Sequence, residues 1–196
     1  TPEDDLEYSA KFVAGATAAK VPFEELTLTE ARRREPRANP GMKRAFAVED
    51  ASVDGWQLVW GAANDAKRHG AHILTYHRVT GIEVVDGAVR QVKAIDEKRG
   101  EEVLIDCNFV LNAGGPWAGQ IASMAGCEEV EVVPGRGIMI AMNHRLVNSV
   151  VNRCIHPADG DILVPVHTVS IIGTTDVRAD DPNQLAIPRD EVQQML

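Results

Sequence analysis

Asp86-Gly87 stands between two runs of β-forming residues, Val79 to Val85 and Ala88 to Ile95. A two-residue connection of this composition selects a type I′ turn, which needs positive φ at both central positions and makes the flanking runs antiparallel neighbours. Arg99-Gly100 leads into a third such run, Glu101 to Ile105, so the spacing predicts a three-stranded antiparallel meander. A purely helical fold is thereby excluded.

The flanks of the meander change period. From Asp54 to His69, Leu58, Val59, Ala62, Ala63 and Ala66 form an apolar stripe at helical spacing, with Gly70 where a C-terminal cap belongs. Ala71 to Tyr76 reads as a short strand. Beyond the meander, Phe109 to Ala113 reads as a buried strand ending at Gly114-Gly115. Pro116 suits a first helical position, and the helix continues through Trp117, Ile121 and Met124 to a stop at Gly126.

Two helices are expected earlier, one from Asp4 to about Lys20 and one opened by Thr27 and Glu30. These two have capping-box spacing, and the second helix ends before Pro36. Arg32, Arg33 and Arg34 complement the negative end of its dipole. From Val130 onward the chain is β-rich again, with apolar runs at Gly137 to Met142, Val147 to Val151, Asp161 to Val166 and Val169 to Gly173. Turn signals at Pro157 to Gly160 and near His167 separate runs of an expected antiparallel sheet, and a last helix begins near Pro188. The fold class is α/β (α+β), with residues 1–50, 51–128 and 129–196 as its expected divisions.

Composition narrows function. The 196 residues are 44% hydrophobic and 25% charged, ordinary for a globular chain, and 20 Lys and Arg against 29 Asp and Glu give a net charge of -9. Nucleic acid is therefore not an expected partner, because phosphate backbones need a basic field. Cys107, Cys127 and Cys154 form no CxxC pair, an odd count that suits a reducing compartment. No apolar run approaches the roughly 20 residues that span a bilayer, so any membrane contact is expected to be peripheral. His72 and His77 fall on opposite faces of their segment, and no His, Cys or Asp group has metal-ligand spacing.

The string Val110-Leu-Asn-Ala-Gly-Gly-Pro-Trp-Ala118 carries the most chemistry. A strand ending in small residues lets the backbone approach a bulky ligand, and the following helix start can turn amides toward anionic oxygen. A plain strand-to-helix turn explains the same residues equally well.

Helix, strand, meander and this string, in that order, resemble the second part of the FAD-binding domain in glutathione-reductase-like flavoproteins of the D-amino-acid-oxidase type. Within them the chain is similar to the FAD-dependent glycerol-3-phosphate dehydrogenases, more to the A-type subunit of the anaerobic enzyme than to the aerobic form. The residues carrying the likeness are Glu35-Pro36, Val53-Asp54, Asp65 to Ala71, Asn112-Ala-Gly-Gly-Pro-Trp117, Val151-Asn-Arg-Cys154, Asp161-Ile-Leu-Val-Pro165 and Ile171-Ile-Gly-Thr-Thr-Asp176. The family's GxGxxG fingerprint is absent, since Gly135-Arg-Gly137 supplies only a GxG and leads into a strand. With a first residue other than Met, this leads to the expectation of an internal piece of a longer protein that does not retain FAD by itself.

The resemblance implies FAD as cofactor of the complete protein. Backbone groups of Val79 would contact its adenosine part, Ala113 and Gly114 would lie close to it, and Trp117 would match the aromatic at the following helix start. It implies glycerol 3-phosphate as substrate, with quinone or electron-transfer subunits as partners and a cytoplasmic place at the inner face of the plasma membrane. A phosphate monoester needs guanidinium or ammonium donors, which makes Arg136, Arg153 and Arg178 the substrate-binding candidates. Where aerobic relatives carry a basic residue before the strand beginning at Ile162, this chain has Asp161. Two alternatives stay open: a non-catalytic binding or assembly module of the same fold, and a related FAD-dependent 2-hydroxy-acid or amino-acid oxidoreductase.

Overall fold

A computed structural model describes Thr1, Asp4 and residues 6–155 and 162–196. Its elements run α1 (Leu6–Ala18), β1 (Phe23–Leu26), α2 (Leu28–Arg34), β2 (Ala45–Val48), α3 (Gly55–Arg68), β3 (His77–Val85), β4 (Ala88–Asp96) and β5 (Glu101–Asp106). A 3-10 turn (Gly115–Trp117) then precedes α4 (Ala118–Ser123), β6 (Gly135–Arg136), β7 (Met139–Ala141), β8 (Val151–Asn152), β9 (Ile162–Val166), β10 (Val169–Gly173), β11 (Val177–Arg178) and α5 (Arg189–Gln194). The chain divides into two compact units. The first holds Thr1–Val53, Gly135–Val177 and Leu185–Leu196, and the second holds Asp54–Pro134 and Arg178–Gln184.

In the first unit, β1 and β2 pair antiparallel, with Phe23 opposite Val48 and Leu26 opposite Ala45. Phe12 of α1 packs on both strands, its ring centroid 5.8 Å from Phe23 and 5.2 Å from Phe46. Aromatic edges meeting faces at this range stabilise beyond simple burial. Residues 1–50 are expected from sequence to be helical, so this strand pair is an addition. Each strand is only four residues long and finds its partner across a helix and a loop.

The helix caps fall where the sequence places them. Thr27 caps α2, its hydroxyl accepting the Glu30 N–H at 3.2 Å. The Glu30 carboxylate does not return the bond: it accepts instead from Arg33 and Arg34, each at 2.8 Å. Arg33 and Arg34 are therefore spent on their own helix, while Arg32 donates to the Pro40 carbonyl in the segment after it at 2.8 Å.

The rest of the first unit is built on a sheet with the order β7-β10-β9-β8 among the described residues, antiparallel throughout. Its register aligns Met139, Gly173, Ile162 and Asn152 in one row across the strands. β8 covers only the end of the apolar run expected from Val147 to Val151, because Arg145 holds the preceding loop through the carbonyls of Val147 and Asn148. The turn expected at Pro157 to Gly160, and the residues His156 and Asp161, lie outside the described residues.

In the second unit the meander forms as the sequence predicts, in the order β3-β4-β5. Asp86 and Gly87 both have positive φ, 52° and 74°, the requirement of the turn between them. α3 also follows the expected span: Asp54 caps it by accepting the Gln57 N–H at 3.1 Å, and Gly70 stops it at φ 91°.

Two expectations here are corrected. Residues 71–74 form no strand, since Thr75–Tyr76 turn and the ladder with β4 begins only at the His77 to Asp96 pair. Phe109 to Ala113 is neither a strand nor buried: Phe109 is 80% and Leu111 83% exposed. A buried strand needs a ladder partner, and no described segment supplies one. In the apolar stripe of α3, Leu58, Val59 and Ala62 are exposed and Ala63 and Ala66 half-buried, with no buried residue on the helix.

Candidate functional site

The row Met139, Gly173, Ile162, Asn152 marks one end of the four-stranded sheet. At that end β7 and β9 begin while β10 and β8 finish, so three sequence motifs leave it together: Gly135-Arg-Gly137 before β7, Thr174-Thr-Asp176 after β10, and Arg153 after β8. Three strand spacings of roughly 4.8 Å separate the two edges, about 14 Å in all.

Two of these motifs touch. A side chain on Gly137 would run into the Thr174 hydroxyl and the Thr175 carbonyl, so this backbone passes where only glycine fits. The Thr174 hydroxyl donates to the Ile138 carbonyl at 3.1 Å, while the Thr175 hydroxyl accepts the Ile138 N–H at 3.0 Å. Thr175 is fully buried, and its hydroxyl donates in turn to the Glu191 carboxylate of α5 at 2.8 Å.

Arg136 completes the group. Its guanidinium donates to the other Glu191 oxygen in an ion pair and to the Ala186 carbonyl at 2.7 Å. The Arg136 side chain is 17% and that of Glu191 8% exposed. The pairing offsets what a lone buried charge would cost. Only two of the five guanidinium N–H groups are taken by these contacts.

Arg153, at the opposite sheet edge, is held by Asp4, with Nε 3.1 Å from the carboxylate. The Thr1 hydroxyl donates to the same carboxylate. Arg178 is exposed and lies on β11, the strand that pairs with β6, which carries Arg136. Glu191 and its partnership with Arg136 were not legible in the sequence, where Glu191 is simply an acidic residue in the first turn of a helix.

In the second unit the Asn112 to Trp117 turn is closed by Asn112. Its Nδ2 donates to the Ala118 carbonyl at 2.9 Å and its Oδ1 accepts the Gly114 N–H at 3.1 Å. Gly115 takes positive φ at 54°, and the Gly114 carbonyl accepts the Trp117 N–H at 3.0 Å. A side chain on Gly114 would collide with Ile121 and stand 3.1 Å from the Asn112 Oδ1. The demand for glycine is thus met inside the turn. Trp117 is 41% exposed, and its indole donates to the Asn183 Oδ1 at 3.1 Å. No signal in the sequence points to Asn183.

Val79 pairs with Ala94 on β3 just before the register shifts at Thr80, where the strand bulges. Bulges free backbone groups from the ladder, which suits a contact made by main chain. Leu111 and Ala113 are exposed on either side of Asn112.

A sheet end furnished with arginine and threonines in one unit, and a small-residue turn beside a meander in the other, suit an enzyme that handles an anionic substrate and a bulky cofactor. Over residues 1–196 the chain matches the model of the DAO family, FAD dependent oxidoreductase, and it belongs to that family. FAD is the cofactor this membership indicates.

The chain is 41% identical over 190 residues to the A1-type subunit of the anaerobic glycerol-3-phosphate dehydrogenase of Haloferax volcanii, covering 92% of this chain and 32% of that protein. Against the A-type subunit of the Escherichia coli K12 anaerobic enzyme it is 39% identical over 179 residues, 91% of this chain and 33% of the relative. It therefore spans about a third of the length of the curated relatives it matches. A solved glycerol-3-phosphate dehydrogenase from Bacillus halodurans, complexed with FAD, shares the fold with a TM-score of 0.74 at 21% identity, over 88% of this chain and 36% of that one.

Proposed function

We propose that this chain is the meander-bearing and substrate-facing part of a flavin-dependent dehydrogenase that oxidises glycerol 3-phosphate at C2 to dihydroxyacetone phosphate. The observation that carries the proposal is that Gly135-Arg-Gly137 and Thr174-Thr-Asp176 touch at one end of the four-stranded sheet, with Arg153 at the far edge of the same end. It combines with the likeness to anaerobic glycerol-3-phosphate dehydrogenase subunits over nine-tenths of the chain.

Glycerol 3-phosphate differs from glycerol chiefly by a dianionic group, and guanidinium is the side chain that binds two of its oxygens at once. Arg136 and Arg153 hold that role in the proposal, and Arg178 is a third candidate. The backbone at Val79, the small residues Ala113 and Gly114, and Trp117 would hold FAD. When bound, the flavin supplies the two-electron acceptor for the hydride leaving C2. The chain's own contribution is to fix the phosphate, orient C2 and take the hydroxyl proton. Electrons pass on to a quinone or to electron-transfer subunits, at the cytoplasmic face of the plasma membrane. No helix among the described residues is long and apolar enough to cross a membrane.

The test is turnover by the complete gene product, supplied with FAD and an artificial electron acceptor. The expected result is flavin-dependent oxidation of glycerol 3-phosphate, with glycerol, 2-hydroxy acids and amino acids poor by comparison. A complete protein that cannot be loaded with flavin, or one that prefers a carboxylate substrate, overturns the proposal.

A further inference from the structure

We infer that Glu191, on α5, is a positioning residue for Arg136, and that Thr175 joins the same device to the Gly-Thr-Thr-Asp turn; this rests on the proposed role of Arg136 at the substrate phosphate.

A planar guanidinium is useful for phosphate only when its fork is aimed, because the two N–H groups that grip the ligand are fixed relative to each other. Two contacts at different terminal nitrogens are enough to fix that plane. Arg136 has them: the Glu191 carboxylate on one terminal nitrogen and the Ala186 carbonyl on the other, 2.7 Å away. Both partners come from the C-terminal stretch that ends in α5, 50 and 55 residues further along the chain.

Glu191 is itself held. Its second oxygen accepts the hydroxyl of the fully buried Thr175 at 2.8 Å, and that hydroxyl accepts the Ile138 N–H at 3.0 Å. Ile138 lies two residues after Arg136 and Thr175 follows β10, so one carboxylate links the arginine's side chain, its own downstream backbone and the neighbouring motif. Both Glu191 oxygens and the Thr175 hydroxyl have partners, and a satisfied buried polar group holds its geometry. Supporting groups of this kind orient the residues that touch a ligand.

The experiment uses the FAD-loaded complete protein with Glu191→Ala, Glu191→Gln, Arg136→Ala and the Arg136→Ala/Glu191→Ala pair. Gln preserves an acceptor for Arg136 and a donor for the Thr175 hydroxyl, so it keeps the geometry without the charge. Readouts are kcat and KM for glycerol 3-phosphate, its equilibrium binding by calorimetry, and inhibition by inorganic phosphate.

Glu191→Ala is expected to raise KM and weaken phosphate inhibition about tenfold with a smaller change in kcat. Glu191→Gln should recover most of the loss, and the double variant should lose no more than Arg136→Ala alone. Additive losses in the pair, or a folded Glu191→Ala protein with unchanged KM and phosphate inhibition, overturn the inference. Should Glu191→Ala not fold, a Glu191→Gln protein as impaired as Arg136→Ala overturns it as well. Absence of glycerol 3-phosphate turnover in the unmodified protein instead overturns the functional reading on which the inference stands.

Discussion

The carboxylate of Glu35 accepts both the backbone N–H and the hydroxyl of Ser149, each at 2.6 Å, and so ties residues 114 positions apart. The Asn148 N–H shares the same carboxylate at 2.9 and 3.0 Å, and the Asn148 side chain donates to the Arg34 carbonyl at 2.9 Å. Glu35 is buried, and it ends α2 immediately before Pro36. A carboxylate that gathers several donors in this way pins the loop leading into β8, and thereby the stem of Arg153.

Glu35→Ala should therefore destabilise the first unit by roughly 1.5 to 3 kcal/mol, the scale of a hydrogen bond to a charged partner with its donors left unsatisfied. Glu35→Gln should restore part of that, since one acceptor oxygen survives. Urea unfolding midpoints of the complete protein check the order, and an alanine variant as stable as the parent would remove Glu35 from this role.

Glu30 gives a pH prediction. Hydrogen bonds from Arg33 and then Arg34 lower its carboxyl pKa from the usual 4.5 to about 2. A carboxyl lowered on folding contributes stability that is complete above about 4.5 and is lost as the pH falls toward 2. The pair is exposed, so salt should weaken it. Carboxyl NMR titration should place the Glu30 midpoint near 2 at low salt, higher at 1 M salt as screening sets in, and higher again in Arg33→Ala. A midpoint at 4.5 in the unmodified protein would show that the clamp does not persist in solution.

Gly114 reads differently in the structure than in the sequence. From sequence alone, Gly114→Val leaves folding intact and takes up cofactor volume; in the structure the added carbon meets Ile121 first. Gly114→Val by itself should consequently lower the melting temperature of the complete protein. Combined with Ile121→Ala, which opens the space, folding should recover toward that of Ile121→Ala alone while flavin content stays low. Full flavin occupancy in a folded double variant would detach this turn from the cofactor.

The sequence was most informative where one short segment decides the outcome. Asp86-Gly87 commits the backbone to a turn whatever surrounds it, and Thr27, Asp54 and Gly70 bound their helices by satisfying or freeing groups a few residues away. Legibility fell where the partner is distant. Phe23 and Val48 do not announce each other, and Phe109 to Ala113 has a strand's composition yet no neighbour among the described residues with which to pair. At the candidate site, Arg136 stood out as an arginine between glycines. Glu191 did not, because the need for a buried counter-charge exists only once α5 has been brought against β6 and the Thr175 turn.

The two candidate phosphate ligands should part company when removed. Arg136 is mostly enclosed and its partner Glu191 more so, whereas Arg153 is 46% exposed on its ion pair with Asp4. Arg136→Ala strands a buried carboxylate, a change that typically costs about 3–5 kcal/mol; Asp4 is as enclosed, its side chain 7% exposed, but removal of the half-exposed Arg153 opens it to water. Both substitutions should weaken the use of glycerol 3-phosphate by roughly tenfold or more, about 1.4 kcal/mol per decade, with flavin content preserved. Only Arg136→Ala should also lower the unfolding midpoint markedly. Arg33→Ala, which removes an arginine spent on Glu30, should leave kcat/KM near the parent value. If both Arg136→Ala and Arg153→Ala retain kcat/KM, these arginines are structural, and phosphate recognition must be sought at Arg178.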